Sequence, residues 1–375
     1  MIFFINFKRQ CNIYRKKILS GINKDIKNGE FILGKNVSLL EKKIAKFVNS
    51  KYCATCSSGT DALLMSLMAY NVKKNDIIFT TTYSYISTAE VIKLLGAKPF
   101  FVDIDPDTYN IDTNKLNEAI KSFKNKKFNL RGVIGVNLFG NPFEYEKIRD
   151  ITKKNNLFLI EDAAQSFGSK FKNRFSGTLG DISCFSFYPT KSLSCYGDGG
   201  AITTNNKKLY KLIKSIRVHG KSNFNNGFER LGLTGRLDNI QATVLLEKLK
   251  KFKKEENLRI KIAKIYNDSL SKVNSIKTQK INYLSKSTYS VFSLEFKNKK
   301  TKKIVLNNLK KNKIGFNIYY KKPMHLEKVF KEYNFKKGDF PVSEKLSENI
   351  LSIPIDPYLN KKELKKIIKI INYEE

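Results

Sequence analysis

Short apolar, β-branched or aromatic runs recur along the first two thirds of the chain, at 52–57, 76–81, 98–105, 132–138, 157–161, 181–187 and 199–204. Between them helical spacing takes over: Leu63, Leu64, Leu67 and Met68 share one face of 60–72, and 145–155 has the same amphipathic character. Strands that alternate with helices predict a largely parallel sheet covered on both faces. From 236 the pattern becomes a long helix, with Leu237, Ile240, Val244, Leu245, Leu249 and Phe252 on one face and lysines on the other. The remainder mixes helices with a strand-like run at 289–296 and ends in lysine-rich amphipathic segments. We therefore expect a large α/β domain over 1–245, including the N-terminal segment, and a smaller α+β domain over 246–375 entered by the long helix. A chain of 375 residues has ample material for two cores.

Composition changes this picture little. The formal charge of +36 would suit a nucleic-acid partner if it were clustered, but the lysines are spread along the whole length. Lys, Asn and Ile are abundant together, and all three have AT-rich codons, so a biased genome accounts for the excess and no nucleic-acid partner is expected. A basic surface still attracts anionic substrates. The five cysteines are an odd number without a zinc-like spacing, which reads as reduced, cytoplasmic thiols. The apolar stretch Met1–Phe7 is short and is followed, not preceded, by Lys8, Arg9 and Arg15, unlike a secretory signal. No apolar run approaches a membrane span, so a soluble protein without a membrane partner is expected. With only His219 and His325, neither a metal site nor a Ser-His-Asp triad is at hand.

Candidate chemistry gathers at the ends of the predicted strands. Asp162 follows the apolar run Leu157–Ile160, at the carboxyl end of a parallel strand, where ligands bind in open α/β sheets. Lys191 follows the apolar Cys184–Phe187 and precedes the glycine-rich 197–200. A lysine that binds an aldehyde cofactor as a Schiff base needs, elsewhere in the site, a carboxylate that keeps the cofactor's pyridine nitrogen protonated, and this pair fits a pyridoxal phosphate site. Ser58-Gly59-Thr60-Asp61 lies where a strand gives way to a helix, so backbone N–H groups and the positive helix end converge on a point suited to a phosphate. Ser58 or Thr60 would equally serve as a plain helix cap. Ser186 could add its hydroxyl to the same phosphate, and either Tyr83 or Tyr85 could lie against a pyridine face.

Taken together, Gly29–Gly34, Ser58–Leu63, Val102–Asp105, Glu161–Ser166, Phe185–Lys191, Gly197–Gly200, Arg236–Ala242 and Pro323–Leu326 resemble the DegT/DnrJ/EryC1/StrS sugar aminotransferases, a branch of the fold-type I pyridoxal phosphate enzymes. The resemblance implies a seven-stranded, mainly parallel sheet between helices. It implies pyridoxal 5'-phosphate held covalently by Lys191, with pyridoxamine phosphate arising in turnover. Asp162 would pair with the pyridinium nitrogen and Gln165 lie near the ring hydroxyl, while Gly59, Thr60 and Ser186 hold the phosphate. Tyr85 matches the family's stacking aromatic. It further implies a homodimer in which a second subunit completes each site; the family's asparagine two residues before Arg236 is here Thr234, whose hydroxyl reaches less far. His325, Tyr319 and Arg236 would contact a nucleotide-linked sugar, and L-glutamate would supply the amino group. Related dehydratases replace the lysine with histidine, so Lys191 argues for amino transfer over dehydration. A regulatory or nucleic-acid-binding role would rest on charge alone.

Overall fold

The computed structural model describes residues 1–123, 128–222 and 227–372. Each of the seven apolar runs forms a strand of one sheet: β1 (Tyr52–Cys56), β2 (Asp76–Thr81), β3 (Lys98–Val102), β4 (Asn129–Val136), β5 (Phe158–Asp162), β6 (Ile182–Ser186) and β7 (Gly200–Thr204). Their order is β1-β7-β6-β5-β4-β2-β3. β7 runs antiparallel to both neighbours, and the pairs from β6 across to β3 are parallel. Every residue of β2 and β7 is buried, which is why these segments are read as runs and not as alternation.

The third run ends earlier than its apolar pattern predicts, because Asp103 leaves the sheet for another task. Its carboxylate accepts from the backbone N–H groups of Val342 (3.1 Å) and Ser343 (3.0 Å) and from the Ser343 hydroxyl (2.6 Å). It thereby satisfies the open N-terminus of the helix Pro341–Asn349, as a carboxylate near a helix start should.

The long helix, α8, spans Asn239–Leu270 and belongs to both cores. Leu245, Leu246 and Phe252 pack with Val37, Leu40 and Phe185 of the large domain. Ile262, Ala263, Tyr266 and Leu270 pack with the smaller core. Core membership thus changes between Phe252 and Ile262, inside the helix and beyond the expected division at 245/246. The N-terminal segment departs from expectation too. Ile2 joins the smaller core and pairs with Lys313 and Gly315 through backbone hydrogen bonds of 2.9 and 2.7 Å. From there the helix Phe7–Asn28 returns along α8, with Tyr14 and Ile18 against Val244.

The smaller domain is built on an antiparallel sheet of β8 (Ile276–Thr278), β9 (Phe292–Phe296) and β10 (Ile350–Ile353), covered by the end of α8 and by the helices Lys299–Lys311 and Lys361–Ile371. The strand foreseen from 289 starts at Phe292: Tyr289 has φ +48°, and Ser290 N–H turns away to the Phe139 carbonyl of the large domain. Among the described residues no helix is long and apolar enough to cross a membrane, and no group of three or more His, Cys, Asp or Glu could hold a metal ion. The cysteines are unpaired, and burial pushes the thiols of Cys53, Cys56, Cys184 and Cys195 up, which leaves them protonated and unreactive.

Candidate active site

A cleft of about 570 Å³ opens where the carboxyl ends of β5 and β6 meet the smaller domain. Asp162, the last residue of β5, and Ser186, the last of β6, both line it, as do Gly59, Thr60, Tyr85, Gln165, Lys191 and Tyr319. Seven of these eight candidates meet because parallel strands deliver their ends to one edge of the sheet, and Tyr319 reaches the same cleft from the smaller domain.

Asp162 is 5% exposed. One carboxylate oxygen accepts from the Thr88 hydroxyl at 2.8 Å and the other from Ala164 N–H at 3.1 Å. Burial raises its pKa, while these two donors and the positive charge of Lys191 pull it back. Lys191 follows a tight turn closed by its own N–H on the Tyr188 carbonyl (2.8 Å). Burial lowers its pKa and Asp162 opposes the shift. The arrangement therefore favours a lysine that gives up its proton more readily than a surface one, beside a carboxylate oriented by two donors.

The helix Gly59–Ala69 starts at the same edge. Ser58 is its N-cap, accepting from Asp61 N–H at 3.0 Å, so the capping role is realised by Ser58 and not by Thr60. Thr60 shares a hydrogen bond of 2.8 Å with Ser87. Gly59 and Thr60 occupy the first turn, where N–H groups have no acceptor within the helix. A Cβ on Gly59 would lie 2.7 Å from the Ser186 Cβ, so only glycine lets this turn close on β6. The result is a cradle of first-turn N–H groups beside Ser186, the kind of helix start at which anions bind.

Of the two tyrosines after β2, Tyr83 is fully buried, and its hydroxyl accepts from Tyr320 N–H (2.6 Å) and donates to the Tyr320 carbonyl (3.1 Å). Tyr85 is 58% exposed and presents its ring to the cleft. Gln165 is held from both ends: its carbonyl oxygen accepts from Phe139 N–H at 2.8 Å and its amide donates to the Tyr320 hydroxyl at 2.9 Å.

Three candidates lie elsewhere. His325 is 2% exposed and does not line the cleft. One ring nitrogen bonds the Thr82 hydroxyl (2.7 Å), the other Glu344 (3.1 Å), and Phe340 packs against the ring. At the start of a short helical turn His325 joins two segments, and the expected sugar contact is not among the residues lining the cleft. Thr234 pairs with His219 Nε2 at 2.8 Å on the exterior, and Arg236, half-buried, is also outside the cleft of its own chain.

Sequence reasoning assigned no role to Thr88 or Arg259. Thr88 sits one turn beyond Tyr85, and nothing in its neighbours signals that it faces Asp162. Arg259 carried a visible sign: it shares a helical face with Ile262, Ala263 and Tyr266, where a cation is out of place.

A family model described as the DegT/DnrJ/EryC1/StrS aminotransferase family matches residues 12–372. The chain belongs to the DegT/DnrJ/EryC1/StrS aminotransferase family. It is 38% identical over 98% of both chains to a UDP-2-acetamido-2-deoxy-3-oxo-D-glucuronate aminotransferase of Pseudomonas aeruginosa. It is 33% identical to a protein of Geobacillus stearothermophilus named a pleiotropic regulatory protein, over 98% of this chain and 96% of that one. The crystal structure of a DegT/DnrJ/EryC1/StrS aminotransferase from Brucella abortus superposes with a TM-score of 0.95, at 37% identity, covering 99% of this chain and 98% of that chain. The fold expected of this aminotransferase family, with its seven-stranded, mainly parallel sheet and smaller α+β domain, is the fold observed.

Proposed function

We propose that this aminotransferase moves an amino group from L-glutamate to a keto carbon, C3 or C4, of a nucleotide-linked sugar, using pyridoxal 5'-phosphate. The observation that carries the proposal is the meeting, in one cleft, of Lys191, the doubly oriented Asp162 and the glycine-floored cradle of Gly59, Thr60 and Ser186. Lys191 would hold the cofactor at Nζ, and Asp162 would keep a proton on its ring nitrogen. The cradle would take the phosphate, Gln165 the ring hydroxyl, and Tyr85 one face of the ring. When bound, the cofactor supplies an aldehyde that exchanges amino groups and a ring that accepts the electrons of a C–H bond.

The chain's own part is proton handling and orientation. When the Lys191 amine is not engaged in holding the cofactor it would be free to act as a base, since burial favours its neutral form. Nζ would then be placed to remove the donor's Cα proton and to hold it for return within the site. The same lysine runs these transfers in reverse for the keto-sugar, which predicts ping-pong kinetics. Thr234 and Arg236, placed outside their own cleft, would complete the site of a second copy in a homodimer. The sugar acceptor follows the kind of substrate named for the Pseudomonas relative. A purely regulatory role, as the name of the Geobacillus relative suggests for that protein, gives no reason for a lysine, an oriented carboxylate and a phosphate cradle to converge.

The test uses the full-length protein with added cofactor. A visible absorbance band should appear, fade with L-glutamate and return with a UDP-linked keto-sugar, and the aminated sugar should be seen by mass spectrometry. Lys191→Ala should lose the band and about 10³-fold or more in turnover. Full turnover in that variant would overturn the proposal.

A further inference from the structure

Arg259 sits on α8 where the helix passes from one core to the other, and it lines the cleft. It is 5% exposed, yet its Nε and Nη2 are buried without a hydrogen-bond partner. No carboxylate among the described residues comes within ion-pair distance of it. The acids around it have other partners, although one oxygen of Glu256, Oε1, is buried without any. Asp356 accepts from the N–H groups of Asn6 (3.0 Å) and Tyr358 (2.9 Å). Glu255 accepts the hydroxyls of Tyr14 and Tyr358. Glu256 pairs with Lys253 (2.9 Å) and Lys286 (3.3 Å). The Phe252 ring supports the guanidinium at 5.6 Å.

Burying Nε and Nη2 of Arg259 without hydrogen-bond partners is costly, and among the described residues the Phe252 ring and the charges of Glu255 and Glu256 offset that cost without a hydrogen bond or an ion pair. Burial lowers its pKa, with Glu255 and Glu256 opposing, but an arginine retains its charge in proteins. Among the described residues lining the cleft, the cations are Lys191 and Arg259. Lys191 has the chemistry to perform, so the second cation is free to bind. A further buried polar group without a partner, Ser290 Oγ, belongs to a residue of the same lining.

We infer that Arg259 is the carboxylate-binding residue of the cleft, receiving a substrate carboxylate through its planar fork of N–H donors. Arginine is suited to this because the fork matches both oxygens of a carboxylate. The inference rests on the transamination proposed above and adds to it the group that is read and the residue that reads it. Two substrates could bring such a carboxylate: a dicarboxylic amino donor or a uronic acid acceptor.

Thermal shift on the full-length, cofactor-loaded protein separates these sources with unreactive probes. Glutarate stands for the donor, and UDP-glucuronate against UDP-glucose for the acceptor. The wild type should bind at least one carboxylate probe about tenfold more tightly than its uncharged counterpart, glutaramide or UDP-glucose. Arg259→Gln should abolish that preference and leave UDP-glucose binding unchanged, and Arg259→Lys, with charge but no fork, should fall between. Loss of the glutarate shift alone assigns the donor; loss of the glucuronate preference alone assigns the acceptor. A carboxylate preference that survives in Arg259→Gln overturns the inference, as does a parallel loss of UDP-glucose binding. Should neither variant fold, a wild type without any carboxylate preference overturns it equally. The absorbance band is recorded on the same samples: a wild type that binds carboxylates but shows no band refutes transamination and leaves Arg259 standing.

Discussion

The strand-end side of the cleft and the side formed with α8 and the smaller domain hold their polar groups in opposite ways. At the strand ends three groups are already oriented by the chain, Asp162 by Thr88 and Ala164, Gln165 by Phe139 and Tyr320, Asp61 N–H by Ser58, while the Ser192 hydroxyl beside Lys191 is buried without a partner. On the other side, the Nε and Nη2 of Arg259 and the hydroxyl of Ser290 have no partner within the chain. Orientation in advance suits a group that stays for every turnover, because no reorganisation is required as charge moves. Unpartnered donors suit something that comes and goes. The two sides thus fit a resident cofactor and an exchanging substrate respectively.

The largest expected effect tests the oriented side. Asp162→Asn keeps the shape but offers an amide where a charge is needed, and kcat should fall about 100-fold or more with the melting temperature little changed. Unchanged turnover would remove Asp162 from the chemistry and with it the contrast between the sides. A sharper control lies one residue away. Glu161 points to the other face of β5, fully buried, and accepts from Ser176 (2.7 Å), Ser183 (2.5 Å), Asn137 (2.7 Å) and the N–H groups of Gly177 and Leu179 (both 3.0 Å). Glu161→Gln turns an amide N–H toward these donors, so it should cost about 2–4 kcal/mol of stability in denaturant unfolding. Its kcat should stay near wild type at a temperature where the variant is folded. Adjacent carboxylates would then divide into one for chemistry and one for the fold.

Much of the oriented side was legible in the sequence because it is local. Strand, tight turn and helix start follow one another within a few residues at Ser58-Gly59-Thr60 and at Glu161-Asp162, so the apolar run itself shows which residue emerges at the sheet edge. The sheet was legible for the same reason, since fully buried strands are continuous runs. The substrate side was not, because it is assembled from segments far apart, from Phe4 to Pro357, whose proximity no periodicity reveals. His325 drew attention as a rare residue in a matching motif, but a motif does not show which way an imidazole faces. The domain division was obscured by a helix that is amphipathic toward two cores in succession: its stripe continues without a break past Phe252, so the change of partner leaves no mark in the pattern.

The smallest effect concerns His325, and it decides whether that residue belongs with the frame. Burial lowers its pKa, while Glu344, Asp339 and Asp103 act to raise it, and the first effect prevails. In the unfolded chain the imidazole titrates near pH 6.5, to within about a unit. Between the lowered folded value and that pH the unfolded state binds more protons, so stability rises with pH through this window and is flat above it. Below the folded pKa the loss is complete and grows no further. His325→Gln should therefore flatten this part of the pH–stability curve. At pH 8 it should cost about 1–2 kcal/mol, for the hydrogen bonds to Thr82 and Glu344 that glutamine cannot reproduce together. Because the ring does not line the cleft, the KM for the sugar should move less than twofold. A tenfold rise in KM with an unchanged pH–stability curve would return His325 to the substrate side, and the comparison would then have been drawn in the wrong place.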